Sequence, residues 1–198
     1  MFIDDAPETP AVRVMYDADR DDDGYVANST RVWSWRPDVL DAFVSMRTQL
    51  LGQSSLTDAE KATVVAATVG AFNCSYCSLA WGGRLAALTD DETAAQVLVG
   101  ADAPAASPRE AALAEWARAV VRHPNGTTGA DVAKLRAVGL DDREIFEATA
   151  LVGFRLAFST INDALGAAPD LQLAEATPPP IRAAVTYGRP PAARPSSA

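Results

Sequence analysis

The chain is poor in the residues from which metal centres and secreted scaffolds are built. Its 198 residues include two cysteines and one histidine. A zinc site takes four ligands, mostly Cys and His, and Cys74, Cys77 and the distant His123 do not make that set. Two cysteines are also too few to staple a small secreted domain. Basic residues are outnumbered, 17 Lys and Arg against 26 Asp and Glu, for a net charge of −9. An acidic surface repels phosphate backbones and anionic lipid, so neither nucleic acid nor a membrane is expected as a partner. No apolar run approaches the roughly 20 residues that span a bilayer. Met1 to Pro10 (MFIDDAPETP) has neither the basic start nor the apolar stretch of a signal peptide, which points to the cytoplasm. Glycine-rich phosphate loops of the G-x-G-x-x-G and G-x-x-x-x-G-K-[ST] types are missing, and no cofactor or metal is expected.

What is present is enough apolar residue, 48% of the chain, for one well-buried core. No segment alternates with the period of a strand, and helix punctuation recurs instead. Pro37 can open a helix that Gly52 would stop in the left-handed conformation. Thr57 with Glu60, Thr89 with Glu92, Ser107 with Glu110, and Asp141 with Glu144 have the spacing of capping boxes. A helix from about Asn73 to Leu88 would carry Cys74, Cys77, Trp81, Leu85 and Leu88 at helical spacing, and a short one would end at Gly139. The expectation is an all-α fold of about seven helices. Residues 1–30 read as an irregular acidic segment, 31–168 as the helical domain and 169–198 as a proline-rich tail. Six of the 13 prolines fall in the last 21 residues, which favours an extended tail. The alternative is that Ile181, Val185 and Tyr187 dock on a neighbouring subunit.

The chemical signal is Cys74-Ser75-Tyr76-Cys77. Cysteines at i and i+3 share a helix face about 5–6 Å apart at Cβ, and modest adjustment lets the sulfurs bond. A helix N-terminus favours the thiolate. The alternative is a pair of small buried residues that happen to be cysteines. A C-x-x-C alone has its usual redox host in a βαβ fold, which this sequence lacks.

The segment Leu56-Thr57-Asp58-Ala59-Glu60, followed by an apolar run into Asn73-Cys74-Ser75-Tyr76-Cys77, resembles the AhpD-like alkylhydroperoxidase and carboxymuconolactone decarboxylase superfamily. Within it the chain is most similar to the longer peroxidase-related proteins. Gly24 to Asn28, Arg36 to Leu40, Arg122-His123-Pro124 and Ile161 to Gly166 match in order and spacing, so that the likeness covers roughly residues 12–168. The resemblance implies an all-α fold in a homo-oligomer. It also implies a dithiol that reduces a hydroperoxide, or exchanges with a disulfide, and is regenerated by an unidentified dithiol donor. It assigns Cys77 as the attacking thiol and Cys74 as its resolving partner.

The family pattern E-x(11)-C-x-x-C-x-x-x-H is broken at both ends. Ala62 stands where the pattern has Glu and Trp81 where it has His, so both proton-relay groups are lost. An indole N–H only donates, and Trp81 cannot act as the base. Loss of acid–base help puts a factor of about 10²–10⁴ at risk. The two changes can be read as one, a small residue making room for a large one in a site turned apolar, which would raise the Cys77 pKa. Arg84, seven residues past Cys77 on the same face, is a candidate thiolate partner, and Tyr76 sits between the cysteines. Glu60 reads as a cap rather than a relay, and His123 as a helix-end residue. Asp19 to Val26 begins like a calcium loop, but Thr30 stands where a bidentate Glu is needed, so a solvated acidic loop is expected. The leading functional reading is a thiol-dependent oxidoreductase. The alternative is a degenerate scaffold of the same fold that binds a small ligand or serves assembly without peroxidase turnover. Decarboxylase or isomerase chemistry ranks below both, because its general base is missing.

Overall fold

A computed structural model describes residues 1–193. Eleven α-helices and one 3₁₀ turn account for its regular structure, with no strand among the described residues. The helices are α1 (Pro10–Asp23), α2 (Asn28–Trp33), α3 (Pro37–Gly52), α4 (Asp58–Ala71), α5 (Ser75–Leu88), α6 (Asp91–Val99), α7 (Pro108–Arg122), α8 (Gly129–Ala137), α9 (Asp142–Ala164), α10 (Leu171–Ala176) and α11 (Pro179–Ala184). The seven expected helices are α3 to α9. Four more lie in the flanks that were read as irregular or extended.

Helix α4 is the axis of the core. It is apolar on every side, with Ala62, Val64, Val65, Ala66, Ala67 and Val69 all buried, as a helix must be when packed all round. Helices α5, α6, α7 and α9 surround it. Small residues set these distances: a Cβ added to Gly70 would lie 2.0 Å from the backbone oxygen of Leu98 on α6. Capping boxes close at Thr57–Glu60, Ser107–Glu110 and Asp141–Glu144, and a further one at Thr128–Asp131. Glu60 and Glu144 also share one cation. Arg109 of α7 donates from Nε to Glu60 at 2.5 Å and from Nη2 to Glu144 at 2.9 Å, tying α4, α7 and α9 together.

Two local expectations fail. Asp90 rather than Thr89 caps α6, because the Thr89 hydroxyl is turned back to the Leu85 carbonyl. Gly52 stays inside α3, and no left-handed residue ends that helix.

The flanks are ordered by specific contacts. Thr9 caps α1 by accepting from the Val12 N–H, so residues 10–23 are helical rather than irregular. The run Asp19 to Asp23 therefore lies on a helix, not a loop, and no cluster of metal-ligating side chains forms among the described residues. At the other end, the Pro178-Pro179-Pro180 run starts α11, since proline suits the first helical turn, where its missing N–H costs nothing. Ile181 is fully buried in this chain's own core, close to Gly82 and Leu98. That burial, not an extended tail, accounts for residues 171–184. Residues 194–198, with Pro195, lie outside the described residues. Helix α3 sits on the outside with no buried residue. Its Phe43 joins an aromatic cluster with Trp33, Phe154 and Phe158, in which Trp33 and Phe158 stack at 5.1 Å.

Candidate active site

The cysteine motif forms the beginning of α5 rather than its first full turn. Asn73 adopts a left-handed φ of 60°, which turns the chain sharply out of α4. Cys74 is then the N-cap residue, and its sulfur accepts the Cys77 N–H at 3.5 Å. Both sulfurs therefore sit at the N-terminal end of a 14-residue helix, where free N–H groups and the helix dipole favour negative charge. Both are free thiols and both are covered, Cys74 being 0% and Cys77 2% exposed.

Helix α9 supplies what the motif lacks. Arg155, Ser159 and Asp163 recur every four residues and share one face. Ser159 Oγ donates to Cys77 Sγ at 3.3 Å, and Arg155 Nη1 approaches the same sulfur at 3.8 Å. Cys74 Sγ donates to Asp163 Oδ1 at 3.3 Å. The neighbouring Cys74 thiol, the Arg155 charge and the Ser159 hydroxyl outweigh burial and pull the Cys77 thiol down from 9.0 to about 6. Cys74 moves the other way, because the adjacent Cys77 takes the negative charge of the pair and because Cys74 is buried. Burial raises the Asp163 carboxyl. The expectation of an apolar site with a raised Cys77 pKa is thus overturned. Its cation and hydroxyl come from a helix 78 to 82 residues further along the chain. A sequence signal existed in polar residues at four-residue spacing within the buried stripe of α9, beside Leu151 and Val152.

Ala62 and Trp81 do meet, as walls of one pocket of about 370 Å³ that also contains Arg47, Arg84 and Arg155. Two guanidiniums lie over the Trp81 ring, Arg84 at 5.1 Å and Arg155 at 5.0 Å from its centroid. Arg84 therefore faces the indole instead of a thiolate. Tyr76 is not in the pocket. Its hydroxyl donates to Asp170 and accepts from Ser29. His123 is exposed at the end of α7. Arg155 both lines the pocket and reaches the Cys77 sulfur.

No family model matches the chain, and no curated protein does. Solved structures do. An uncharacterized peroxidase-related protein from Ralstonia eutropha JMP134, described as an alkylhydroperoxidase AhpD core, has 26% identity and a TM-score of 0.70, covering 84% of this chain and 91% of its own. The chain thus shares the all-α fold of an AhpD core. An uncharacterized peroxidase-related protein from Silicibacter sp. TM1040 has the same fold at 23% identity and a TM-score of 0.75, covering 87% of this chain and 93% of its own. The debrominase Bmp8 shares the AhpD-like fold at 12% identity and a TM-score of 0.70, covering 89% and 92%. A cysteine-to-alanine variant of that enzyme has been seen with 2,3,4-tribromopyrrole. One AhpD-like architecture thus carries more than one chemistry.

Proposed function

We propose that this AhpD-like chain is a thiol-dependent oxidoreductase that reduces organic hydroperoxides with Cys77 and Cys74. The observation that carries the reading is the contact of the Cys77 sulfur with Arg155 and Ser159, and of its neighbour Cys74 with Asp163. The Cys77 thiolate attacks the terminal peroxide oxygen. An S–O bond forms as the O–O bond breaks, and an alkoxide leaves and takes a proton from solvent. Arg155 faces the negative charge as it moves from sulfur to the leaving oxygen. Cys74 gives its proton to Asp163 and attacks the Cys77 sulfenic acid. The disulfide forms, and the departing hydroxyl leaves as water with that proton. A carboxyl raised by burial is a better proton acceptor than a solvated one, which fits Asp163 for this role. A dithiol donor then returns two electrons.

Such a couple cycles in a reducing compartment, and a cytoplasmic location and a homo-oligomeric assembly belong to the same proposal. With Cys77 2% exposed, the side chains that cover it have to yield during turnover, Arg155 on the pocket side among them. The deep burial of both sulfurs favours a second reading, an AhpD-like scaffold that binds without turnover. Coupled peroxide consumption with dihydrolipoamide separates the two. Turnover should vanish in Cys77→Ser, and Cys74→Ser should stop at a sulfenic acid that dimedone traps. A fully reduced wild-type protein that consumes no peroxide leaves only the scaffold.

A further inference from the structure

The pocket beside Cys77 is cationic in an acidic protein. Arg47, Lys61, Arg84 and Arg155 line it against the single carboxylate of Asp58, which pairs with Lys61 at 3.5 Å. Elsewhere the chain spends its acids on its arginines: Arg31 with Asp5, Arg36 with Asp38, Arg109 with Glu60 and Glu144, Arg136 with Asp142. Here, among the described residues, Arg47 has no hydrogen bond or ion pair, Arg84 has only the face of Trp81, and the buried Nε of Arg155 has no partner. Three guanidiniums without a carboxylate repel one another. Burial and the charges of Arg155 and Arg84 together weaken the hold of Arg47 on its proton. Burying a cation part-way without a counter-charge is costly, and Arg47 is half-buried in that state. The Cys77 thiolate answers Arg155 and leaves Arg47, together with the solvent-exposed Arg84, open to an anion. Leu51, Val65 and Leu151 give the same pocket an apolar floor, and its volume falls within the roughly 300–1,000 Å³ of small-molecule sites.

We infer that this pocket selects an anionic substrate, an organic hydroperoxide bearing a carboxylate. Arg47 and Arg84 hold the carboxylate, the carbon body rests on Leu51, Val65 and Leu151, and the peroxide end lies toward Arg155 and Cys77. The substrate assignment rests on the peroxidase reading above, whereas the anion pocket itself does not.

A matched pair tests it: cumene hydroperoxide and its para-carboxylate, which differ by one charge. With dihydrolipoamide as donor, kcat/KM should favour the carboxylate by roughly ten-fold, the scale of one charge-assisted contact. The preference should shrink as salt is added, a measurement that needs no variant. It should fall toward one in the Arg47→Gln, Arg84→Gln double variant. Equal or lower activity on the carboxylate in wild-type protein that turns over the neutral peroxide overturns the inference and leaves the peroxidase reading intact. If neither peroxide is consumed, the peroxidase reading fails, and the pocket is judged by calorimetry with unreactive 4-isopropylbenzoate. Saturable, salt-sensitive binding that the double variant loses upholds the anion site, and no binding overturns it.

Discussion

Replacing Arg155 by Met removes one charge from beside Cys77 while keeping most of the side chain's bulk. The guanidinium Nη1 lies 3.8 Å from the sulfur. At an effective dielectric of about 20, a unit charge at that distance is worth about 4 kcal/mol, or about 3 pH units. Delocalisation over the guanidinium moves part of the charge further off, so a rise of about 2–3 units is expected. From a starting value of about 6 this carries the Cys77 midpoint to about 8–9, the range of an unassisted thiol. The ultraviolet absorbance of the thiolate in the fully reduced protein reads the midpoint directly, because Cys74 keeps its proton throughout that range. Arg155→Lys should recover part of the depression. Stability carries the same signature. A folded-state pKa below the unfolded one stabilises the fold above the unfolded value, and that contribution is lost as pH falls through the folded one. Wild-type protein should therefore gain stability over Arg155→Met as pH rises from about 6 to about 8.5. Above that window the raised Cys74 works in the opposite sense. A wild-type midpoint at or above 8.5, or equal midpoints in wild type and a well-folded Arg155→Met, would refute the assignment of α9 as the source of thiolate stabilisation.

Other perturbations follow from the packing. Arg109→Met leaves Glu60 and Glu144 buried side by side without their shared cation, and should cost about 3 kcal/mol in urea unfolding at neutral pH. The depressed Glu144 makes that loss smaller as the solution is acidified toward its folded pKa. Trp33→Phe keeps the aromatic stack but strips Asn162 Oδ1 of its 3.0 Å donor inside the core, for about 1–3 kcal/mol. Gly70→Ala drives a methyl into the Leu98 carbonyl and should cost more than the usual 1–3 kcal/mol of overpacking, roughly, as read from the thermal midpoint. Trp81→Ala removes one wall between the pocket and Cys77, so iodoacetamide should alkylate Cys77 several-fold faster than in wild type. An unchanged rate would mean that the thiol is reached by another way.

The sequence made the helices between Pro37 and Gly166 readable because their signals are local. A capping box needs four residues, and α4, α7 and α9 each begin with one. The flanks carried local signals too, the Thr9 cap and the proline run before Ile181, but much of what holds them in place is distant. The Phe2 N–H bonds to the Leu165 carbonyl, and Ile181 fills a space beside Gly82 that no composition rule reveals. The same division applies to the site. The motif spacing put Cys74 and Cys77 at one helix start, and Ala62 and Trp81, expected on facing sides of one site, line one cavity. Taking the loss of Glu and His as the loss of all polarity was the error, since charge at a sulfur is set by whichever helix packs against it. Arg155, Ser159 and Asp163 carry no motif of their own, only a four-residue rhythm on a helix.

Cys74 has a second duty, as the cap of α5. Once its sulfur is bonded to that of Cys77 it can no longer lie where the Cys77 amide finds it now, and the first turn of the helix must find another acceptor or loosen. Redox state is thereby written into backbone order, and amide exchange at Cys77 and Ser78 would distinguish oxidised from reduced molecules without any view of the sulfurs themselves.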